Sequence, residues 1–137
     1  MDTAVLSASP FPALVAGSVL LLLFHIALQG MLATRELGSA WNAGPRDEQK
    51  KPSGALAGRA DRASANFRET YPAFIGLALA LAIAGDTSGW GLIGTWMWIV
   101  FRILYIPLYL AGIPYIRSLI WVGSAAGLLV MAAVLIV

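Results

Sequence analysis

The residues best suited to chemistry in this sequence are polar side chains repeated at helical spacing. Arg59, Arg62, Asn66 and Glu69 are three, four and three positions apart. On a helix of about 3.6 residues per turn they therefore form one stripe. Guanidinium and amide groups donate hydrogen bonds to carboxylates and phosphates, so the stripe suits an anionic ligand.

A second row of the same kind follows later in the chain. Arg102, Tyr105 and Tyr109 are three and four positions apart and share one face of a helix. Further on, Arg117 and Ser118 lie near the N-terminus of another predicted helix. There the unpaired backbone N–H groups and the helix dipole add to the positive charge of the arginine. A serine at such a position usually caps the helix, but its hydroxyl could also assist a reaction.

Four apolar stretches must position these residues, and they indicate a membrane protein. Of the 137 residues, 59% are hydrophobic and 12% are charged, whereas about one quarter are charged in a typical soluble domain. Each stretch approaches the ~20 residues that a helix needs to cross a bilayer. We predict an all-α, up-and-down bundle of four transmembrane helices in a single domain, residues 1–137. The predicted helices cover about residues 11–35, 61–84, 91–112 and 115–137.

The second predicted helix differs from the others because its first half is polar. Lipid does not tolerate such a segment, so we expect it to be shielded inside the bundle. The segment before it, residues 38–58, is rich in glycine, proline and charge and predicts an exposed connection. A flap over a nearby site is the alternative for that connection.

The distribution of basic residues predicts the orientation. Six of the nine lysines and arginines lie in residues 34–62, between the first two helices. By the positive-inside rule this connection is cytoplasmic and both termini lie on the opposite side. Residues 1–3 carry no basic charge and the first apolar stretch is long, so we expect a retained span, not a signal peptide. The expected location is a bacterial inner membrane.

Four tryptophans are predicted to include interface anchors: Trp90, Trp96, Trp98 and Trp121.

In this topology the polar groups meet at one depth on the cytoplasmic side. The expected result is a cationic pocket formed by Arg62, Arg102 and Arg117 and lined by Asn66, Tyr105 and Tyr109. Such a pocket suits a small polar molecule with several negative charges, and the bilayer would deliver an apolar co-substrate. Glu69 has two possible roles here: an ion pair with Arg102 that joins two helices, or a place in the binding site.

Several classes of function are excluded by composition. The sequence has no cysteine, which rules out disulfides, thiolate metal sites and a nucleophilic cysteine. With His25 as the single histidine and few carboxylates, we expect no metal centre built by the protein. The net charge is only +2 and the basic residues form no stripe for nucleic acid. An inverted repeat, as expected of a transporter, is absent from the sequence.

The motifs resemble those of the MAPEG family, the membrane-associated proteins of eicosanoid and glutathione metabolism. Residues 62–72 read RASANFRETYP and are similar to the family's R-A-x-x-N-x-x-E followed by proline. Residues 102–109 read RILYIPLY and resemble R-x-x-[YH]-x-x-x-Y. Residues 114–118 are similar to P-x-R-S of the microsomal prostaglandin E synthase branch, with one additional residue. Thr70 after the glutamate also matches that branch and the microsomal glutathione transferases.

The resemblance implies a homotrimer of four-helix protomers with glutathione-binding sites between neighbours. The matching positions for contacts with glutathione are Arg62, Asn66, Glu69, Arg102, Tyr105 and Tyr109, with Arg35 reaching a neighbour's site. Arg117 matches the arginine that stabilises the glutathione thiolate, and Ser118 would assist it. A free thiol has a pKa of about 8.5 and is mostly protonated at neutral pH, so a neighbouring cation is needed to favour the nucleophilic thiolate.

Together with the predicted cationic pocket, the resemblance implies a membrane-bound glutathione-dependent transferase, or peroxidase, that acts on lipophilic electrophiles in detoxification. Because the chain has no cysteine, the thiol must come from the ligand. The alternative is a membrane protein without catalytic activity that binds an anionic lipid or metabolite in the same cationic pocket.

Overall fold

Four long helices dominate the structure. The computed structural model describes residues 3–137, and all regular elements in that part of the chain are helical. They are α1 (Thr3–Ala8), α2 (Phe11–Leu37), α3 (Ser39–Ala43), α4 (Ala55–Ala84), α5 (Trp90–Leu110) and α6 (Ile116–Ile136). Helices α2, α4, α5 and α6 are long and apolar enough to cross a membrane. The predicted four-helix transmembrane fold is confirmed.

The connection between α2 and α4 is shorter than the sequence predicts. Helix α3 occupies part of it, and α4 begins at Ala55, ahead of the predicted start at about residue 61. Glu36 explains the early start, because its Oε1 accepts hydrogen bonds from the backbone N–H groups of Ser53 (2.6 Å) and Gly54 (2.8 Å). A carboxylate there satisfies free donors and complements the helix dipole. Residues 45–51 are exposed, as predicted.

The core between α2, α4 and α5 is largely aromatic. Phe74 and Trp98 stack with their ring centroids 4.0 Å apart, and Phe67 and Tyr71 extend the cluster. The Tyr71 hydroxyl lies 2.9 Å from Oγ of Ser18, which ties α4 to α2. Large rings with one polar end suit such a core, since the hydroxyl finds a partner while the ring is buried.

Helices α5 and α6 pack closely because glycines meet where they cross. A Cβ atom on Gly127 would lie 2.6 Å from the carbonyl oxygen of Gly94, and one on Gly94 would lie 2.7 Å from that of Gly127. Without side chains at these two positions the backbones can touch, as in other membrane helix pairs. This crossing holds the two helices whose connected ends carry the candidate site.

Helix α4 has one buried face and one charged, uncovered face. Its buried face carries Ala60, Ala63 and Phe67, among others. Four charged residues of the same half are exposed in the protomer: Asp61, Arg62, Arg68 and Glu69. The expectation that the bundle shields this polar half is wrong for these four within one protomer. A helix with a 3.6-residue period presents only one stripe to its neighbours, and here alanine and phenylalanine occupy that stripe.

Candidate functional site

A cavity of about 350 Å³ lies where α4, α5 and α6 meet. Its lining consists of Asn66, Tyr105, Tyr109, Arg117, Ser118, Trp121 and Val122. Sites for small molecules have volumes of about 300–1,000 Å³, so the cavity has room for a small ligand. The fold thus brings together members of all three polar groups that the sequence singles out, from three different helices.

Arg117 is the charged residue in the cavity wall. It is the second residue of α6, which begins at Ile116, so it lies near the N-terminus as predicted. Its Cζ atom lies 4.7 Å from the centroid of the Tyr109 ring. This cation–π contact holds the guanidinium at the cavity, close to the positive end of the helix dipole. A ligand group that develops negative charge here is therefore stabilised by two independent sources.

Tyr109 connects Arg117 with α4. Its hydroxyl accepts a hydrogen bond from Nε of Arg62 at 3.2 Å, so its own hydrogen remains available to donate to a ligand. The neighbouring Tyr105 ring lies 5.2 Å away between centroids. Arg62 does not line the cavity itself and acts on it through the tyrosine.

Arg102 lies behind the cavity lining and is fully buried. Its Nη1 donates to Oδ1 of Asn66 at 2.8 Å, and its Cζ lies 4.6 Å from the centroid of the Tyr105 ring. Arginine can only donate, so the amide oxygen of Asn66 must face it. This leaves the two N–H groups of the Asn66 amide for a ligand. The Nε and Nη2 atoms of Arg102 have no hydrogen-bond partner within residues 3–137.

Two predicted site residues lie elsewhere in the protomer. Glu69 is exposed on the uncovered face of α4. It forms no ion pair with Arg102, because the one salt bridge within 4.0 Å in the described part of the chain joins Lys50 and Glu48. Arg35 is exposed near the end of α2 and lines a separate cavity of about 610 Å³ together with residues such as Gly30 and Asn42. Arg35 does not line the cavity formed by α4, α5 and α6.

Trp121 lines the cavity, whereas the sequence predicts it only as one of the possible interface anchors. It stands four residues after Arg117 and thus on the same face of α6. Its Nε1 is buried and has no hydrogen-bond partner within the described residues. The i, i+4 spacing from the arginine is the signal in the sequence that identifies it.

The fold and the cavity define an integral, multi-pass membrane protein with a hydrogen-bond-donating site at one end of a four-helix bundle. The chain belongs to the MAPEG family, whose family model matches residues 13–137. It is therefore a membrane protein of the family associated with glutathione and eicosanoid metabolism. No curated protein and no solved structure matches the chain.

Proposed function

We propose that this protein is a membrane-bound glutathione-dependent transferase, or peroxidase, of the microsomal glutathione transferase and prostaglandin E synthase branch. The observation that carries the proposal is the position of Arg117 in the wall of a cavity whose other polar lining groups, Asn66, Tyr105, Tyr109 and Ser118, can all donate hydrogen bonds. Glutathione matches this lining, since it has two carboxylates, two amide groups and one thiol.

In the proposed reaction Arg117 lowers the pKa of the glutathione thiol by stabilising the thiolate. The thiol proton leaves to solvent and the sulfur attacks an electrophilic carbon. A C–S bond forms while a leaving group departs, or a proton is taken up if the acceptor is an activated double bond. With a lipid hydroperoxide the thiolate attacks the terminal oxygen and the O–O bond breaks, which gives an alcohol, after uptake of a proton, and glutathione sulfenic acid. A second glutathione then reduces the sulfenic acid, forming glutathione disulfide and water. Asn66 and the tyrosines hold the tripeptide in place.

We further propose a homotrimer with the sites between protomers. The uncovered face of α4 supports this, because it places Asp61, Arg62, Arg68 and Glu69 within a membrane-spanning helix. A charged group that faces lipid costs roughly 2.5–3.5 kcal/mol or more at the bilayer centre and less toward the end of a helix, whereas a second copy would cover the face. Copies packed there would bring Glu69 and Arg35 toward a neighbour's cavity. Lipophilic substrates would enter between protomers from the bilayer.

The first experiment is calorimetric titration of glutathione into purified protein, with thiolate absorbance in the ultraviolet as a second signal. We expect saturable binding in the wild type, weaker binding in Asn66→Ala, and loss of the thiolate signal in Arg117→Ala. Arg46→Ala is the matched control, since Arg46 contacts Asn42 and Trp41 in the exposed connection, outside the cavity. The absence of binding at millimolar glutathione would overturn the proposal. Binding of anionic lipid in its place would favour a membrane protein without catalytic activity.

We also propose a bacterial inner-membrane location with the α2–α4 connection in the cytoplasm. The absence of native cysteine makes this testable, because a single cysteine introduced at Glu48, which is exposed, reports its own side of the membrane. Labelling by an impermeant thiol reagent in intact cells would contradict the proposed orientation.

A further inference from the structure

A side chain of α4 donates a hydrogen bond to a backbone carbonyl at the C-terminal end of α5. The backbone N–H groups of Gly112 and Ile113 donate back into the last turn at 3.0 and 3.3 Å, which is the Schellman pattern. In this pattern the carbonyl of Leu110, the last helical residue, has no partner within the helix. Nη1 of Arg59 donates to that carbonyl at 3.1 Å. A cation of α4 therefore binds the negative end of the α5 dipole.

Gly112 packs against the guanidinium group of Arg59 and leaves no room for a side chain. Its φ of +70° lies in the left-handed region that favours glycine. A Cβ atom at this position would lie 2.6 Å from Cζ of Arg59, and 2.7 and 2.9 Å from Nη2 and Nη1. Any side chain would displace the arginine, so the turn and the arginine depend on each other.

The turn held by Arg59 leads directly into the residue on which the proposed chemistry depends. Residues 111–115 connect α5 to α6, and Arg117 is the second residue of α6. Arg62, one turn after Arg59 on α4, donates a hydrogen bond to the Tyr109 hydroxyl at 3.2 Å. The Tyr109 ring in turn makes the cation–π contact with the Arg117 guanidinium. Arg59 therefore holds the connection that leads into Arg117, while Arg62, one turn later, contacts the hydroxyl of the tyrosine whose ring lies beneath Arg117.

We propose that Arg59 is a positioning residue that, together with Gly112, fixes the α5–α6 connection and thereby places Arg117 at the cavity. The effect on the glutathione thiol rests on the proposed function, whereas the effect on the connection does not. Arg59 touches neither the cavity nor, in this proposal, the ligand.

The first test is amide hydrogen exchange of purified protein without ligand. Arg59→Gln and Gly112→Ala should each speed exchange in residues 111–119, by roughly tenfold as expected for the loss of one hydrogen bond to a charged group. Exchange in residues 14–30 of α2 shows that each variant is folded. Gly112→Ala also strains the left-handed backbone of the turn, so the double variant should exchange no faster than Gly112→Ala alone, because both changes break the same contact. Unchanged exchange in Arg59→Gln, or additive effects in the double variant, would overturn the proposal.

The second test asks whether Arg59 acts by placing Arg117 or by the effect of its own charge on the thiolate. The pH midpoint of thiolate formation should rise by roughly one unit in both single variants, since a displaced arginine stabilises the thiolate less. Affinity for S-methylglutathione, which cannot form a thiolate, should change little. A higher midpoint in Arg59→Gln but not in Gly112→Ala would mean that Arg59 acts through its charge, contrary to the proposal. If the wild type binds no glutathione, the proposed function fails, while the exchange experiment still decides whether Arg59 fixes the connection.

Discussion

The guanidinium group of Arg117 lies over the ring of Tyr109, with 4.7 Å between Cζ and the ring centroid. The same tyrosine accepts a hydrogen bond from Arg62 at its hydroxyl. The ring of Tyr109 therefore contacts Arg117 in the cavity wall, and its hydroxyl contacts Arg62 on α4. This division of roles makes the contribution of each part of the tyrosine separable by mutation.

Replacing Tyr109 by phenylalanine should weaken ligand binding without displacing Arg117. The variant keeps the ring beneath the guanidinium but loses the hydroxyl, so we expect glutathione affinity to fall about five- to tenfold, the usual effect of one hydrogen bond. The pH midpoint of thiolate formation should stay close to that of the wild type. Tyr109→Leu removes the ring as well and should raise the midpoint. Equal midpoints in the two variants would show that the ring does not hold Arg117.

Variants of Asn66 should separate protein stability from ligand binding. Asn66→Ala leaves the buried Arg102 without its 2.8 Å hydrogen bond, so we expect the free energy of unfolding to fall by about 1.5–3 kcal/mol. Asn66→Asp restores an acceptor and adds a counter-charge, so thermal stability in detergent should recover. The aspartate has no N–H groups and repels carboxylates, so glutathione affinity should stay low. Recovery of both properties in Asn66→Asp would contradict the assigned orientation of the amide.

Much of this architecture could be predicted from the sequence, because it depends on local patterns. Apolar stretches of membrane-spanning length predict the four helices, and i, i+3, i+4 spacing predicts which polar residues share a face. The meeting of Asn66, Tyr105, Tyr109 and Arg117 at one cavity follows from those faces and the up-and-down topology.

The remaining features depend on contacts between segments far apart in the sequence. The early start of α4 requires the carboxylate of Glu36 to reach Ser53, and no local signal at Ala55 shows this. The burial of Arg102 behind Asn66, and the fit of Arg59 against Gly112, depend on how α4 and α5 are rotated relative to each other. Periodicity assigns a residue to a face of its helix but not to its depth behind a neighbouring side chain.

A methyl group at the α5–α6 crossing should destabilise the protein. A Cβ on Gly127 would lie 2.6 Å from the carbonyl oxygen of Gly94 and 2.9 Å from the backbone nitrogen of Trp98, and neither backbone can yield alone. We expect Gly127→Ala to lower the free energy of unfolding by about 1–3 kcal/mol, the usual cost of overpacking. Thermal unfolding in detergent measures this.

Gly17→Ala is the control for that experiment. Apart from the adjacent backbone of α2, no atom of the described residues lies within 4 Å of a Cβ at Gly17, and alanine is favoured over glycine in a helix by about 0.5–1 kcal/mol. Stability should therefore be unchanged or slightly higher. A similar loss in both variants would show that the crossing has no special packing.

The charged face of α4 predicts how copies of the chain associate. Arg68 is exposed, and its one hydrogen bond within the described residues is to the Ser64 carbonyl of its own helix, at 3.3 Å, so its replacement removes no hydrogen bond between helices. If copies cover this face, its charges must pair across the interface, and Arg68→Glu should place like charges there. We expect a homotrimer for the wild type and dissociation for Arg68→Glu, measured by native mass spectrometry in mild detergent.

A charge exchange makes the association experiment specific. Arg68→Glu combined with Glu69→Arg restores the charges of the face and should recover the trimer, whereas general damage to α4 would not be reversed. Arg46→Glu, in the exposed connection, changes the net charge by the same amount and should leave the trimer intact. A monomeric wild type, or trimers in every variant, would show that this face is covered by something other than a second copy.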